Sequence, residues 1–137
     1  MNEKHQGPYS AKVREHFSHP RNAGTVPHAS GKGLAKSPVD SDTVLITLKI
    51  KDNRIEDVKF KCMGCPVAIA CLSVATEMVM GRGVDEAYQL TKQSIADALD
   101  GIPEYKMICS NLASEAIRYA IDDWRSRQNA AEETAGT

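Results

Sequence analysis

Val44-Leu45-Ile46-Thr47-Leu48-Lys49-Ile50, then Asp52-Asn53, then the run from Ile55 to Cys62 is the stretch that decides the fold. The first segment is rich in β-branched and other large apolar side chains. The second alternates, with Val58, Phe60 and Cys62 on one face and Asp57, Lys59 and Lys61 on the other. Two such runs joined by an Asp-Asn pair read as an antiparallel hairpin with one apolar face.

Immediately downstream the period changes. Pro66 suits the first position of a helix, and Val67, Cys71, Val74, Ala75 and Met78 recur at helical spacing until Gly81 supplies a stop. Shorter helices are expected over 84–89 and 92–99, closed by Gly101 and Pro103. A last helix, capped by Ser110, carries the apolar stripe Leu112, Ala113, Ala116, Ile117, Ala120, Ile121 and Trp124. Upstream of the hairpin, Gly24, Pro27, Gly31, Gly33 and Pro38 break any period, so 22–42 reads as loop with a short strand around Leu34. Residues 10–17 read as a helix capped by Ser10 and closed by Pro20. Strands early and helices late predict an α+β domain: a small antiparallel sheet with helices packed on one face. That domain is expected to span 1–128. The tail 129–137 has little to bury and is expected to be disordered.

The 137 residues fit one domain with room for a core. Lys plus Arg number 17 against 18 for Asp plus Glu, a formal charge of -1, so no global field favours nucleic acid. No stretch approaches a membrane span, and Met1 to Gly7 lacks the features of an export signal. A soluble, cytoplasmic protein is expected. In that compartment the four cysteines, at 62, 65, 71 and 109, point to metal, redox or sulfur chemistry rather than disulfides.

The four are not equivalent. Cys62 and Cys71 fall on apolar faces, where a free cysteine behaves as a small hydrophobe. Cys65 lies in a Gly-Cys-Pro turn at a helix start, and Cys109 just before the Ser110 cap. A helix N-terminus favours thiolate over thiol, so both are candidates for metal ligation or nucleophilic sulfur chemistry. Asp40-Ser41-Asp42 enters the first strand of the hairpin. Its acids are ordinary turn residues, or carboxylates completing a mixed oxygen and sulfur site for zinc or iron. His5, His16, His19 and His28 all precede the sheet and read as solvated surface.

Over these residues the chain resembles the U-type iron–sulfur cluster scaffold family, the NifU/IscU-like proteins. The likeness runs through Tyr9-Ser10-Ala11-Lys12-Val13, His16-Phe17, Pro20-Arg21-Asn22-Ala23-Gly24, Gly64-Cys65, Ala68-Ile69-Ala70, Ala75-Thr76-Glu77 and Cys109-Ser110, into Leu112-Ala113 and Ala116-Ile117. The resemblance implies a three-stranded antiparallel sheet and a rim bearing three cysteines and an aspartate. The family's second and third cysteines correspond to Cys65 and Cys109, and its aspartate to Asp42. The first cysteine's place is taken by Asp40, and that of the histidine before the third cysteine by Ile108.

The function so implied is a non-enzymatic scaffold that accepts sulfur and iron and holds a transient cluster, a [2Fe-2S] species, for transfer to apo-proteins. Cys109 would accept persulfide sulfur from a cysteine desulfurase, while Asp42, Cys65, Cys109 and Asp40 hold metal. Ile102-Pro103-Glu104-Tyr105-Lys106 occupies the place of a recognition motif for an Hsp70-type chaperone, of which only Pro103 and Lys106 agree. So few ligands per chain are compatible with a homodimer around a shared cluster. Two rivals stand beside this reading: a Zn2+-bound sulfur-transfer partner of the desulfurase that builds no cluster, and an interacting paralogue without chemistry.

Overall fold

The computed structural model describes residues 9–136, with side chains as far as residue 131 of the last helix; His5 lies outside them. The hairpin forms as read. Strand β2 (Thr43–Lys51) pairs antiparallel with β3 (Arg54–Met63), and β1 (Gly31–Lys36) pairs antiparallel with β2 on its other side, giving the order β1-β2-β3. Asp52 and Asn53 join β2 to β3 with φ of 54° and 60°. Two positive values make the two-residue turn whose twist matches the strands, and short polar side chains tolerate them best. Lys49 faces Asp57 while Ile50 faces Ile55, so Glu56 is an extra residue bulged out of β3. The bulge keeps both Ile55 and Val58 in the core.

Helices cover one face of the sheet. Helix α1 (Ala11–Ser18) packs on α2 (Pro66–Val79), which lies on β3; α3 (Val84–Tyr88) and α4 (Lys92–Ala98) lead to α5 (Met107–Gly136), which lies along β1 and β2. Val44, Ile46, Leu48, Val58 and Phe60 meet Val67, Cys71, Leu112, Ile117 and Ile121 in one core. Beta-carbons added at Gly31 and Gly33 would run into the backbone carbonyls of Ala120 and Ala116. The absence of side chains there lets α5 lie flush on β1.

Ser10 caps α1, accepting the Val13 N–H at 3.1 Å and donating to the Leu99 carbonyl at 2.5 Å. Three expectations are corrected. Ser110 does not cap the last helix: α5 begins at Met107, and the Ser110 hydroxyl donates to the Lys92 carbonyl at 2.5 Å. The 3₁₀ turn Glu104–Lys106 leads straight into α5, so the helix starts earlier than the cap signal indicated. The tail from Asn129 is not an irregular coil, since α5 continues as helix to Gly136. Ala130, Ala131, Glu132 and Glu133 are good helix formers that extend a helix already nucleated by packing. Finally, His16 is buried against α2 and shares a 2.7 Å hydrogen bond with the Ser73 hydroxyl.

Candidate metal and sulfur site

The ends of three elements converge at one rim of the sheet. Asp42 enters β2, Cys65 stands between β3 and α2, and Cys109 lies in the first turn of α5. One ligand atom from each lies within 4.8 Å of the others, the sole such group of three among the described residues. The sulfurs of Cys65 and Cys109 are 3.5 Å apart. Thiolates about 2.3 Å from a tetrahedral ion stand roughly 3.7 Å from each other, so this pair needs little adjustment to share one. Two soft sulfurs and one hard oxygen suit zinc or iron and leave a fourth direction open.

Local sequence explains each placement. Cys65 is the N-cap of α2, with extended backbone and Pro66 next. Its side chain makes no capping hydrogen bond, so the sulfur remains at the positive end of a 14-residue helix. Gly64 serves sterically: a β-carbon there would come within 2.9 Å of the Asp42 carboxyl carbon. The pairing of Thr43 with Met63 puts Asp42 and Gly64 next to each other at the strand ends.

The expectation that both cysteines favour the thiolate fails for Cys109. It sits inside the helix and is 3% exposed; burial pushes its thiol well above the usual range. Its hydrogen bond with Cys65 and the nearby Cys65 charge push the same way, and Lys106 opposes them. A cation replacing that proton would remove the penalty. The Lys106 ammonium is held above its ordinary range, foremost by Cys65 and also by Cys109. Sequence reasoning noticed Lys106 only as part of a recognition segment; its position one turn before Cys109 was the available signal.

Asp40 stays outside the group. It is exposed, and its carboxylate accepts the backbone N–H of Asp42 at 2.9 Å, so it shapes the turn that presents Asp42. Cys71 is fully buried in the core and Cys62 partly so. Burial foremost raises their thiols to about 12 and about 11. Beside the rim, an apolar groove of about 680 Å³ runs between Pro20, Leu45, Phe60, Met63 and Ile69.

Residues 8–131 match the sequence family described as "NifU-like N terminal domain". The chain is 50% identical over 116 residues to iron-sulfur cluster assembly scaffold protein IscU 1 of Archaeoglobus fulgidus, covering 85% of this chain and 76% of that one. It is 40% identical over 129 residues to the corresponding IscU of Aquifex aeolicus, covering 93% and 82%. Among solved structures, the fold matches a nitrogen-fixing NifU-like protein (N-terminal) from Brucella abortus with a TM-score of 0.71 at 18% identity, over 87% of this chain and 95% of that one. It also matches a scaffold protein for the SUF system from Fervidobacterium islandicum, with a TM-score of 0.70 at 19% identity over 82% and 96%.

Proposed function

Because the chain belongs to the NifU-like N-terminal domain family, we propose that it is an iron–sulfur cluster assembly scaffold, taking up sulfur and iron and passing the finished cluster to other proteins. The observation that carries this reading is the meeting of Asp42, Cys65 and Cys109, from three separate elements, within 4.8 Å at one rim of the sheet. Such a donor set binds iron through thiolate softness, and one carboxylate makes the hold weaker than three thiolates would. A weak hold suits cargo that must leave.

In this reading the cargo is a transient [2Fe-2S] cluster, and Cys109 carries sulfur drawn from the persulfide of a cysteine desulfurase. The protein is a scaffold and sulfur acceptor rather than an enzyme, and it works in the cytoplasm. Its partners are the desulfurase, the recipient apo-proteins, and an Hsp70-type chaperone addressed through Ile102 to Lys106. A second copy of the chain supplies further ligands when a cluster is shared. Asp40 acts by orienting Asp42, which is what its hydrogen bond to the Asp42 N–H supports.

The test is the metal and acid-labile sulfide content of protein purified anaerobically, beside Cys65→Ala and Cys109→Ala. Iron with matching sulfide in the parent protein, lost from both variants, is the expected outcome. Zinc without sulfide, or no metal, would sink the scaffold reading in favour of a sulfur carrier or a partner without chemistry.

A further inference from the structure

We infer that the groove beside the rim is a docking surface for an extended, acidic segment of a partner protein, which adds as a further strand on the edge of β3 at Cys62. This reaches beyond the scaffold reading and stands whether or not the site holds a cluster. The carrying observation is where the outward backbone groups of β3 find partners. The Ile55 N–H donates to the Arg82 carbonyl at 2.8 Å, the Val58 N–H to the Asp57 carboxylate at 2.9 Å, and the Phe60 N–H to the Asn22 carbonyl at 2.9 Å. The pairing of β2 with β3 runs unbroken from Thr43 with Met63 to Lys49 with Asp57, so the N–H and carbonyl of Cys62 point outward as those of Phe60 do. Among the described residues nothing pairs with them. The chain itself stops one rung short: the Phe60 carbonyl accepts the Gly24 N–H at 2.8 Å, and Gly24, with a φ of 134°, turns the backbone across the sheet to Val26, whose N–H donates to the Thr47 hydroxyl at 2.9 Å.

Cys62 lines the groove of about 680 Å³, whose walls include Pro20, Leu45, Met63 and Ile69. An open rung of backbone groups calls for an extended main chain, and apolar walls call for apolar side chains at alternate positions of it. Charge decides the rest. On the face of the sheet away from the helices, strand register sets Lys36 beside Thr43 and Met63, and Leu34 beside Leu45 and Lys61, with Lys32 and Lys59 in the next row. Leu34 and Met63 are 53% and 78% exposed, so an apolar strip lies open between lysines. Among the described residues none of these four lysines is in an ion pair. No carboxylate lines the groove, and Asp42, the acid next to Thr43, is turned to the two sulfurs. A second copy of the chain would bring its own lysines against these, whereas an acidic segment is complementary.

The experiment adds a capped hexapeptide of alternating valine and glutamate to the metal-free full chain and follows hydrogen exchange of backbone amides by NMR. Saturating peptide should slow exchange at the Cys62 amide about tenfold or more, as a new backbone hydrogen bond requires. The same peptide with lysine in place of glutamate should bind more weakly. The double variant Lys36→Glu with Lys61→Glu, shown to be folded by urea unfolding, should lose about tenfold in affinity for the glutamate peptide and regain it for the lysine peptide. Absence of binding, or binding that leaves the Cys62 amide exchanging at its original rate, would overturn the inference. Protection of Cys62 that grows with protein concentration in the absence of peptide would assign the edge to a second copy of the chain instead. Because the chain is free of metal throughout, each of these outcomes is separate from the iron and sulfide content that tests the scaffold reading.

Discussion

Gly64 lies against Asp42 so closely that a β-carbon at position 64 would stand 2.9 Å from the Asp42 carboxyl carbon and 3.0 Å from one of its oxygens. The atoms in conflict are the free end of a partly buried side chain, which can rotate away. Gly64→Ala should therefore leave the fold nearly as stable as before and displace the Asp42 carboxylate from the two sulfurs. Metal affinity should fall about 10- to 100-fold, as when a group supporting a ligand is lost. Titration of the metal-free protein, together with its unfolding curve, checks both halves of this expectation.

The two aspartates of the loop should separate cleanly. Asp42→Ala removes one of the three converging side chains that could hold a metal ion and should abolish stable metal retention. Asp40→Ala removes only the acceptor of the Asp42 N–H, an exposed hydrogen bond whose loss costs about 1 kcal/mol or less. Asp40→Ala protein should retain metal, weakened but measurable; equal loss in both variants would show that Asp40 is itself a ligand.

Beta-1 and α5 touch through glycine. Gly33→Ala would drive a methyl group into the carbonyl of Ala116 and the amide of Ala120, which are backbone atoms of a packed helix. Overpacking of this kind costs roughly 1–3 kcal/mol or more. A lower urea midpoint for Gly33→Ala, with Gly81→Ala as a comparison whose added carbon meets nothing within 4 Å, is the measurement. Because Gly81 has a φ of 80°, its own cost should come from backbone strain alone.

His16 should make the fold sensitive to mild acid. Burial foremost, then the Arg21 charge, lowers its pKa below 6.5, while Glu77 and Glu15 pull the other way. A histidine neutral in the folded state takes up its proton more readily when unfolded, so stability from this residue is complete above about pH 6.5 and is lost as pH falls toward the folded value. Urea midpoints at about pH 7.5 and about pH 5.5 should differ more for the parent chain than for His16→Asn, which cannot titrate.

The pattern of alternation and helical period in this chain is local, and so it was readable. Val44 to Cys62 announced the hairpin, Pro66 and Gly81 bracketed α2, and Gly101 and Pro103 closed the short α4 region. Cys65 announced itself by its place before Pro66. The start of α5 was not readable, because Ser110 looks like a cap until its hydroxyl is seen bonded to Lys92 in another helix. His16 looked like surface for the same reason: the Ser73 that satisfies it is 57 positions away.

What the amino-acid order determined by itself is therefore the set of elements and the residue types available for chemistry: two acids before a strand, one cysteine at each of two helix starts. Which of these meet was decided only by the tertiary structure. Asp42 joins the two sulfurs and Asp40 does not, because strand register puts Gly64 beside Asp42 and leaves room for its carboxylate. Cys109 is buried and Cys65 only partly so, because α5 is pressed onto β1 along its glycines while α2 only begins at the rim. Distance and burial arise from packing between segments far apart in the chain, and no local pattern encodes them.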